Sequence, residues 1–306
     1  MDGDARADPL AAQRNLILGL LLALAAAAWA VLLLASHGPA AGGSGMDMAA
    51  MAASPTMGLR APLFLAIWVT MMVAMMFPTA APMILAFHRV QAERRRHGQA
   101  FVSTWVFVAG YMLVWVLAGV VAYAAALGAE ALAARAGLTA AAAARIGGGV
   151  LVAAGLYQFT PLKDLCLSKC RTPLSFIMTS WREGTAGALR MGLAHGGWCL
   201  GCCWLLFVIL FPLGMMNVAA MAVLTALIFA EKTLPRGRGF TRAAAVALIA
   251  YGAVVMAVPR VLPTFAAGSG MAAETMPAAT RSAPMPTPMP MRDPAAAAGA
   301  TPPVTR

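Results

Sequence analysis

Three cysteines and a histidine lie close together in one apolar stretch of this sequence. His195, Cys199 and Cys203 are spaced i, i+4 and i+8, and Cys202 is three residues beyond Cys199. On a helix these spacings bring side chains to one face. Thiolate and imidazole groups suit Cu(I), Zn(II) and related soft or borderline ions. The stretch therefore predicts a metal site, with apolar packing of the thiols and thiol redox chemistry as the alternatives.

A second pair of cysteines, Cys166 and Cys170, has an i, i+4 spacing that allows chelation if the segment is helical. Lys163, Lys169 and Arg171 flank the pair, and nearby cations lower the pKa of a thiol. We expect the pair to act as metal ligands or redox groups. The alternative is two reduced thiols that bind nothing.

Four methionines form a third candidate group in another apolar stretch. Thioethers are neutral, soft ligands that select Cu(I), and a neutral ligand is tolerable in lipid where a charge is costly. The alternative is flexible apolar packing. Two prolines that follow, Pro78 and Pro82, predict a kink and free backbone carbonyls. The four methionines are Met71, Met72, Met75 and Met76.

Two segments outside the apolar runs also contain methionine clusters. Residues 42–58 contain four methionines, and the Pro-, Ala- and Thr-rich residues 267–306 contain five. Neither segment has a periodic apolar face, so we expect disorder in both. Methionine can capture Cu(I) in an oxidising compartment where thiols would be lost to disulfides. The alternative is low-complexity composition without a ligand.

The composition is that of a membrane protein, because 61% of the residues are hydrophobic and only 11% are charged. The apolar residues fall into runs of about 20, enough to span a hydrocarbon core. We predict an all-α, polytopic transmembrane bundle of about seven spans, and not a soluble enzyme. The first run is interpreted as a retained signal-anchor helix rather than a cleaved signal peptide. The runs are Leu16–Ala35, Pro62–Phe87, Phe101–Leu127, Ile146–Phe159, Met191–Phe211, Leu213–Ala230 and Ala243–Val258.

Basic residues are concentrated in alternate loops. The N-terminus and the loops 88–100, 160–190 and 231–242 contain 15 Lys and Arg residues, and the other segments contain 7. The positive-inside rule then places the N-terminus in the cytoplasm and the C-terminus in the periplasm. The net charge of +11 is explained by these loops, so nucleic acid is not an expected partner.

The run positions divide the chain into three parts. Residues 1–60 are expected to contain the signal-anchor helix and a Met-rich extracytoplasmic loop. Residues 61–260 form the transmembrane domain with the candidate ligands. Residues 261–306 form a disordered, Met- and Pro-rich extracytoplasmic tail.

Several long stretches resemble a bacterial family of predicted metal-binding integral membrane proteins, a domain of unknown function. The resemblance covers roughly residues 60–260, and His195 lies within it. It implies an inner-membrane location and metal binding by Cys and Met side chains. The implied ligands are Met71, Met72, Met75, Met76, Cys166, Cys170, Cys199, Cys202 and Cys203. The matching stretches are WVTMMVAMMFPTAAPMI, YQFTPLKDLCLSKCRTPLSF, WREGTAGALRMGLAHGGWCLGCCWLL and MMNVAAMAVLTALIFAEKTLP.

Taken together, these features predict binding or transfer of a soft metal ion in the inner membrane. Copper as Cu(I) is favoured over zinc, and the expected partners are the lipid bilayer and a periplasmic or cytoplasmic metal-carrier protein. No ATP-binding loop or phosphorylation domain accompanies the candidate ligands, so a pump is excluded unless a partner supplies energy. A non-enzymatic role is favoured over an enzymatic one. Two alternatives remain: a membrane thiol-disulfide oxidoreductase and a scaffold or assembly protein without a metal.

Overall fold

The computed structural model describes residues 9–37, 54–235 and 237–264, and all regular structure in these ranges is helical. This confirms the all-α prediction. Residues 42–53 and 267–306, where most of the expected methionine capture falls, lie outside the described ranges. The α-helices, numbered in chain order, are α1 Pro9–His37, α2 Ala61–Arg96, α3 Thr104–Arg135, α4 Ala140–Tyr157, α5 Pro161–Arg171, α6 Pro173–Ser180, α7 Gly184–Val208, α8 Leu210–Leu213, α9 Val218–Thr233 and α10 Gly237–Ala257.

Six helical stretches among the described residues are long and apolar enough to span a membrane. They are α1, α2, α3, α4, α7 continued by α8, and α10. The sequence predicted a seventh span, Leu213–Ala230, and this run corresponds to α9. Helix α9 has 16 residues, which at 1.5 Å per residue gives it a length of about 24 Å.

Local sequence explains where several helices begin and end. Thr160 precedes α5, and its side chain accepts a hydrogen bond from the backbone N–H of Lys163, an N-cap interaction. Pro173 ends α5 and begins α6, because proline cannot donate the hydrogen bond that a continuing helix needs. Gly214 has a φ of +94°, which ends α8. Asn217 then caps α9 through the N–H of Ala220.

Helix α2 is one continuous helix that contains both Pro78 and Pro82. Pro78 has no N–H, so the carbonyl of Ala74, four residues earlier, loses its helical donor. The indole Nε1–H of Trp29 in α1 donates to this carbonyl at 3.1 Å. The sequence prediction of a free backbone carbonyl is therefore wrong at Ala74, because a side chain of α1 satisfies it.

Glycines allow α3 and α7 to pack closely. A Cβ on Gly192 would lie 2.1 Å from the carbonyl oxygen of Phe107, and a Cβ on Gly110 would lie 2.4 Å from that of Leu189. Gly192 and Gly196 form a small-xxx-small pair, a common device at membrane helix interfaces. This contact fixes α7, which contains three of the candidate thiols, against α3.

Contacts between loops define two ends of the bundle. At the end we call the basic end, Arg94 forms an ion pair with Glu183 at 2.7 Å, and Arg171 donates to the carbonyl of Leu234 at 2.8 Å. These contacts join the three basic loops to one another. At the opposite end, Thr56 donates to Glu130 at 2.7 Å. Also at this end, the hydroxyl of Thr264 donates to the carbonyl of Pro212 at 2.9 Å.

Candidate metal centre

Four buried thiols from two separate helices lie close together. The Sγ atoms of Cys202 and Cys203 on α7 are 3.2 Å apart, and the Cys202 thiol also donates to the carbonyl of Cys199 at 3.1 Å. Cys170 on α5 interacts with the thiols of Cys199 and Cys202. We call Cys170, Cys199, Cys202 and Cys203 the thiol cluster. The structure therefore brings together both cysteine motifs of the sequence, which are about 30 residues apart.

Two further helices supply polar groups to Cys199. The ammonium Nζ of Lys232, near the end of α9, lies 3.1 Å from the Cys199 Sγ. The hydroxyl of Tyr111 on α3 lies 3.2 Å from the same sulfur. Cys199 is fully buried, so its sulfur is surrounded by α3, α5, α7 and α9 rather than by solvent. Such an environment stabilises a thiolate, because an ammonium and a hydroxyl can both donate to it.

Helix α5 covers the thiol cluster with one face. Its buried residues are Lys163, Cys166, Leu167 and Cys170, spaced as one stripe of an amphipathic helix. The Cys166 sulfur lies against Gly201, where an added Cβ would approach it to 2.8 Å. Cys166 is thus one turn from Cys170 and borders the thiol cluster.

A buried ion pair anchors the start of α5. The Lys163 ammonium lies 2.8 Å from a carboxylate oxygen of Glu231 and also donates to Gln158. The sequence predicts that Lys163 acts on the α5 thiols, but its charge is neutralised by Glu231. Burial raises the pKa of Cys166. The neighbouring Cys199 sulfur raises the pKa of Cys170 well above its usual range, with burial acting in the same direction. The expected lowering of both thiol pKa values is therefore wrong.

His195 lies one helical turn before Cys199 and is buried in an aromatic cage. Its ring centroid is 5.4 Å from that of Tyr111, 5.6 Å from that of Phe176 and 6.0 Å from that of Phe107. The Nδ1 atom is buried and has no hydrogen-bond partner among the described residues. Buried polar atoms are normally hydrogen-bonded. The Nδ1 atom of His195 departs from this rule, so it is available as a metal ligand beside the thiol cluster.

The four methionines of α2 are completely buried. Ring contacts show which part of α7 is at their level. Trp68 of α2 packs against Phe207 at 6.3 Å between centroids, and Phe87 packs against Phe107, which in turn contacts His195. The methionines lie between Trp68 and Phe87, and the α7 cysteines lie between Phe207 and His195. The two sets therefore occupy the same level of the bundle.

The thiol cluster also lies at the ends of three neighbouring helices. The hydroxyl of Tyr157, the last residue of α4, donates to the carbonyl of Gly201 at 2.6 Å. Lys232 is one residue before the end of α9, and α10 begins five residues later at Gly237. Cys199 lies halfway along the stretch formed by α7 and α8. It is nevertheless at the same level as the last residues of α4 and α9, which stop there. Only α5 and the basic loops separate it from the basic end.

The donor set suits a soft metal, but it is not assembled around a common point. Within the described ranges, no group of three or more His, Cys, Asp or Glu side chains could hold a metal ion together as they stand. In a tetrahedral site with metal–sulfur bonds of about 2.3 Å, sulfur atoms are ~3.8 Å apart. The Cys202 and Cys203 sulfurs, at 3.2 Å, are closer than this. Metal binding therefore requires small side-chain movements of the thiols and of Lys232.

A large apolar cavity is not part of this site. It has a volume of about 880 Å³ and lies between α3, α4 and α7, where Trp115, Trp204 and Phe207 contribute to its wall. None of the residues that line it is a cysteine or histidine. The candidate metal centre is therefore the thiol cluster on the other side of α7.

Comparison with known proteins identifies the family. The model of a family described as PpoB2, copper chaperone, matches residues 65–255, which is more than half of the chain. The protein therefore belongs to the PpoB2 copper chaperone family. Neither the search of curated proteins nor that of solved structures returned a match.

Sequence reasoning missed Lys232 and Tyr111 as neighbours of the thiols. Glu231, which precedes Lys232 in the chain, pairs with Lys163 instead of with its neighbour. A signal for Lys232 was present. It is a charged residue at the end of an otherwise apolar run, and such residues often mark functional sites in membrane proteins. No comparable signal marked Tyr111, whose role depends on the packing of α3 against α7.

Proposed function

We propose that this member of the copper chaperone family is an integral membrane protein that binds Cu(I) at the thiol cluster and passes it on. The observation that carries the proposal is the convergence of four buried thiols from α5 and α7. Copper handling follows from the family, and thiolates are the protein ligands that suit Cu(I) best. A buried thiolate site also protects Cu(I) from water and from oxidation.

The other candidate ligands take part in different steps of the proposed copper transfer. His195 supplies a neutral nitrogen beside Cys199, and its partnerless Nδ1 supports this role. The methionines of α2 form a thioether group at the same level, which delivers the ion from the opposite end. Cys166 borders the cluster on α5 and receives the ion as it leaves toward the basic end. Cu(I) would thereby remain on sulfur ligands throughout.

The outer surface of the bundle supports membrane insertion. Val121, Val223 and Val246 are between 61% and 68% exposed, whereas Lys163, Glu231 and Lys232 are buried. This is the reverse of a water-soluble protein, in which charged residues are rarely buried. A lipid environment explains both the exposed apolar side chains and the buried charges, because apolar side chains face hydrocarbon and charges pair inside the bundle.

The contacts at the two ends of the bundle support seven crossings. Helix α9 starts beside Pro212, which is at the opposite end through its contact with Thr264. It ends at Thr233, and the next residue, Leu234, is at the basic end through its contact with Arg171. A helix that connects the two ends counts as a crossing, although α9 is short. We therefore retain the inner-membrane topology with a cytoplasmic N-terminus and a periplasmic C-terminus, with the basic end in the cytoplasm.

A chaperone role requires donor and acceptor proteins. On this topology the acceptor is a cytoplasmic metal carrier that docks near α5, and the Met-rich segments at 42–58 and 267–306 collect copper in the periplasm. Transfer of Cu(I) between sulfur ligands of similar affinity needs only ligand exchange, and no substrate is converted. We therefore propose a non-enzymatic carrier.

Copper analysis of the purified protein tests the proposal. We expect protein loaded with Cu(I) without oxygen to retain copper through gel filtration, with sulfur ligands in its X-ray absorption spectrum. The triple variant Cys199→Ser, Cys202→Ser, Cys203→Ser should lose this copper. The single variant Cys166→Ser should keep this copper and only release it more slowly, because Cys166 lies against Gly201 outside the cluster and receives the ion on its way out. Copper that survives the triple substitution with an unchanged spectrum would reject this site.

A thiol-disulfide oxidoreductase is the second candidate, supported by the proximity of Cys170 to Cys199 and Cys202. All five cysteines are free and buried, however, which limits exchange with a partner protein. Thiol trapping in cells distinguishes the two functions. A disulfide between Cys170 and Cys199 or Cys202 that forms and disappears with growth conditions would favour redox chemistry over copper transfer.

A further inference from the structure

Lys232 is a buried cation with no carboxylate partner among the described residues. Its neighbour Glu231 points to Lys163 on α5, so the Lys163–Glu231 pair is neutral by itself. The Lys232 ammonium instead donates to the Cys199 Sγ at 3.1 Å. All four members of the thiol cluster lie within electrostatic range of it. A buried cation is costly unless it is paired, so the thiols are its counter-charge.

We infer that Lys232 is the built-in counter-cation of the copper site, and that it makes a two-thiolate Cu(I) complex possible inside the bundle. This inference rests on the proposed function of the thiol cluster. Before copper binds, one thiolate at Cys199 balances the Lys232 ammonium. When Cu(I) binds a second thiol of the cluster, that thiol releases its proton to solvent. Two thiolates then face the copper ion and the ammonium, and the site remains neutral.

Charge balance gives Lys232 an effect on the site beyond that of its hydrogen bond to Cys199. A complex of Cu(I) with two thiolates has a net charge of −1, which would be destabilised in a low-dielectric interior. Without Lys232 the neutral alternative is one thiolate with neutral donors, such as His195 or a thioether of α2. Lys232 therefore determines how many thiolates bind the ion. It is a positioning residue that does not ligate copper.

The geometry also assigns Lys232 a part in copper entry and release. Its ammonium lies 3.1 Å from the Cys199 Sγ and therefore occupies one of the directions from which copper could approach that sulfur. Lys232 lies one residue from the end of α9, so it can move by side-chain rotation without disturbing the helix. The ammonium would thus hold the thiolate until copper arrives and remain near it as the counter-charge afterwards.

Lys232→Leu and Lys232→Arg test this inference, because leucine removes the charge without adding a sulfur ligand and arginine keeps the charge. Cu(I) affinity is measured by competition with a chromogenic Cu(I) chelator, and the number of sulfur ligands is measured by X-ray absorption. We expect Lys232→Leu to bind Cu(I) about 10- to 100-fold more weakly and with fewer short copper–sulfur bonds. Lys232→Arg should restore most of both. Lys169→Leu is the matched control, since it removes a cation next to Cys170 that is only half-buried, and it should match the wild type.

The outcomes separate this inference from the proposed function. If the wild type binds no Cu(I) under these conditions, the proposed function fails. If the wild type binds Cu(I) and Lys232→Leu has the same affinity and sulfur count, only the counter-cation role is overturned. If Lys232→Leu does not fold, the Lys232→Arg and Lys232→Gln variants decide: equal copper binding by both would also overturn it.

Discussion

Lys163 and Glu231 form an ion pair, with an Nζ–Oε2 distance of 2.8 Å, in which neither side chain is exposed by more than 1%. The pair connects α5, which covers the thiol cluster, to α9, which contributes Lys232. Because Glu231 and Lys232 are consecutive, the end of α9 holds two things in place: helix α5, which covers the thiol cluster, and the Lys232 ammonium. The pair therefore links the stability of the bundle to the geometry of the candidate copper site.

Glu231→Gln should destabilise the protein strongly. The substitution leaves the Lys163 ammonium buried without its carboxylate, and breaking a buried pair in this way costs about 3–5 kcal/mol. Thermal unfolding in detergent measures the change. Glu183→Gln is the comparison, because Glu183 is exposed in its pair with Arg94 and surface pairs contribute about 0–1 kcal/mol. Adding Lys163→Met to Glu231→Gln should recover part of the loss, and equal losses in all three variants would contradict this account.

Gly192→Ala should weaken the packing of α3 against α7. The new Cβ would lie 2.1 Å from the backbone oxygen of Phe107, so the two helices must separate. Overpacking of this kind costs about 1–3 kcal/mol, and folded yield and thermal unfolding measure it. Gly197→Ala on the same helix is the control, because nothing lies within 4 Å of its added Cβ. An equal effect of both substitutions would show that close approach at Gly192 is unimportant.

Replacing the four methionines of α2 with leucine should impair delivery of copper without unfolding the protein. Leucine keeps the apolar volume and removes the thioether sulfur, and such exchanges usually cost less than about 1.5 kcal/mol each. We expect slower Cu(I) loading from the side of the opposite end, measured in oriented vesicles, while the loaded protein keeps its copper–thiolate bonds. Met178→Leu, at an exposed position of α6, should load normally. Unchanged loading in the quadruple variant would mean that these methionines only pack.

Cysteine labelling should show that α9 connects two sides of the membrane. A cysteine at Ala219, near the start of α9, should react in intact cells with a maleimide that cannot cross the inner membrane. A cysteine at Thr233, at the end of α9, should react only after permeabilisation. Ala136→Cys and Gln99→Cys, in the turns on either side of α3, calibrate the two outcomes. Labelling of both α9 positions from the same side would reduce the number of spans to six.

The sequence by itself determined the helical class, most helix positions and the candidate ligands. Hydrophobic runs of membrane length define helices regardless of their neighbours, which is why six of the seven runs have matching helices long and apolar enough to span a membrane. The spacing of Cys199, Cys202 and Cys203 likewise depends only on helix geometry, so their common face could be predicted. Helix α9, with 16 residues the shortest of the helices that match these runs, is the one whose membrane crossing rests on contacts at its ends.

Only the tertiary structure decided which charges and thiols meet. Cys170 joins the cysteines of α7 because α5 folds back over the cluster, and Lys232 reaches Cys199 because Glu231 is occupied by Lys163. Spacing along one helix cannot predict such pairings, since they depend on how helices distant in the chain pack together. The lowered thiol pKa values expected from neighbouring lysines failed for the same reason. Burial and partner choice, not proximity in sequence, set the electrostatics of the site.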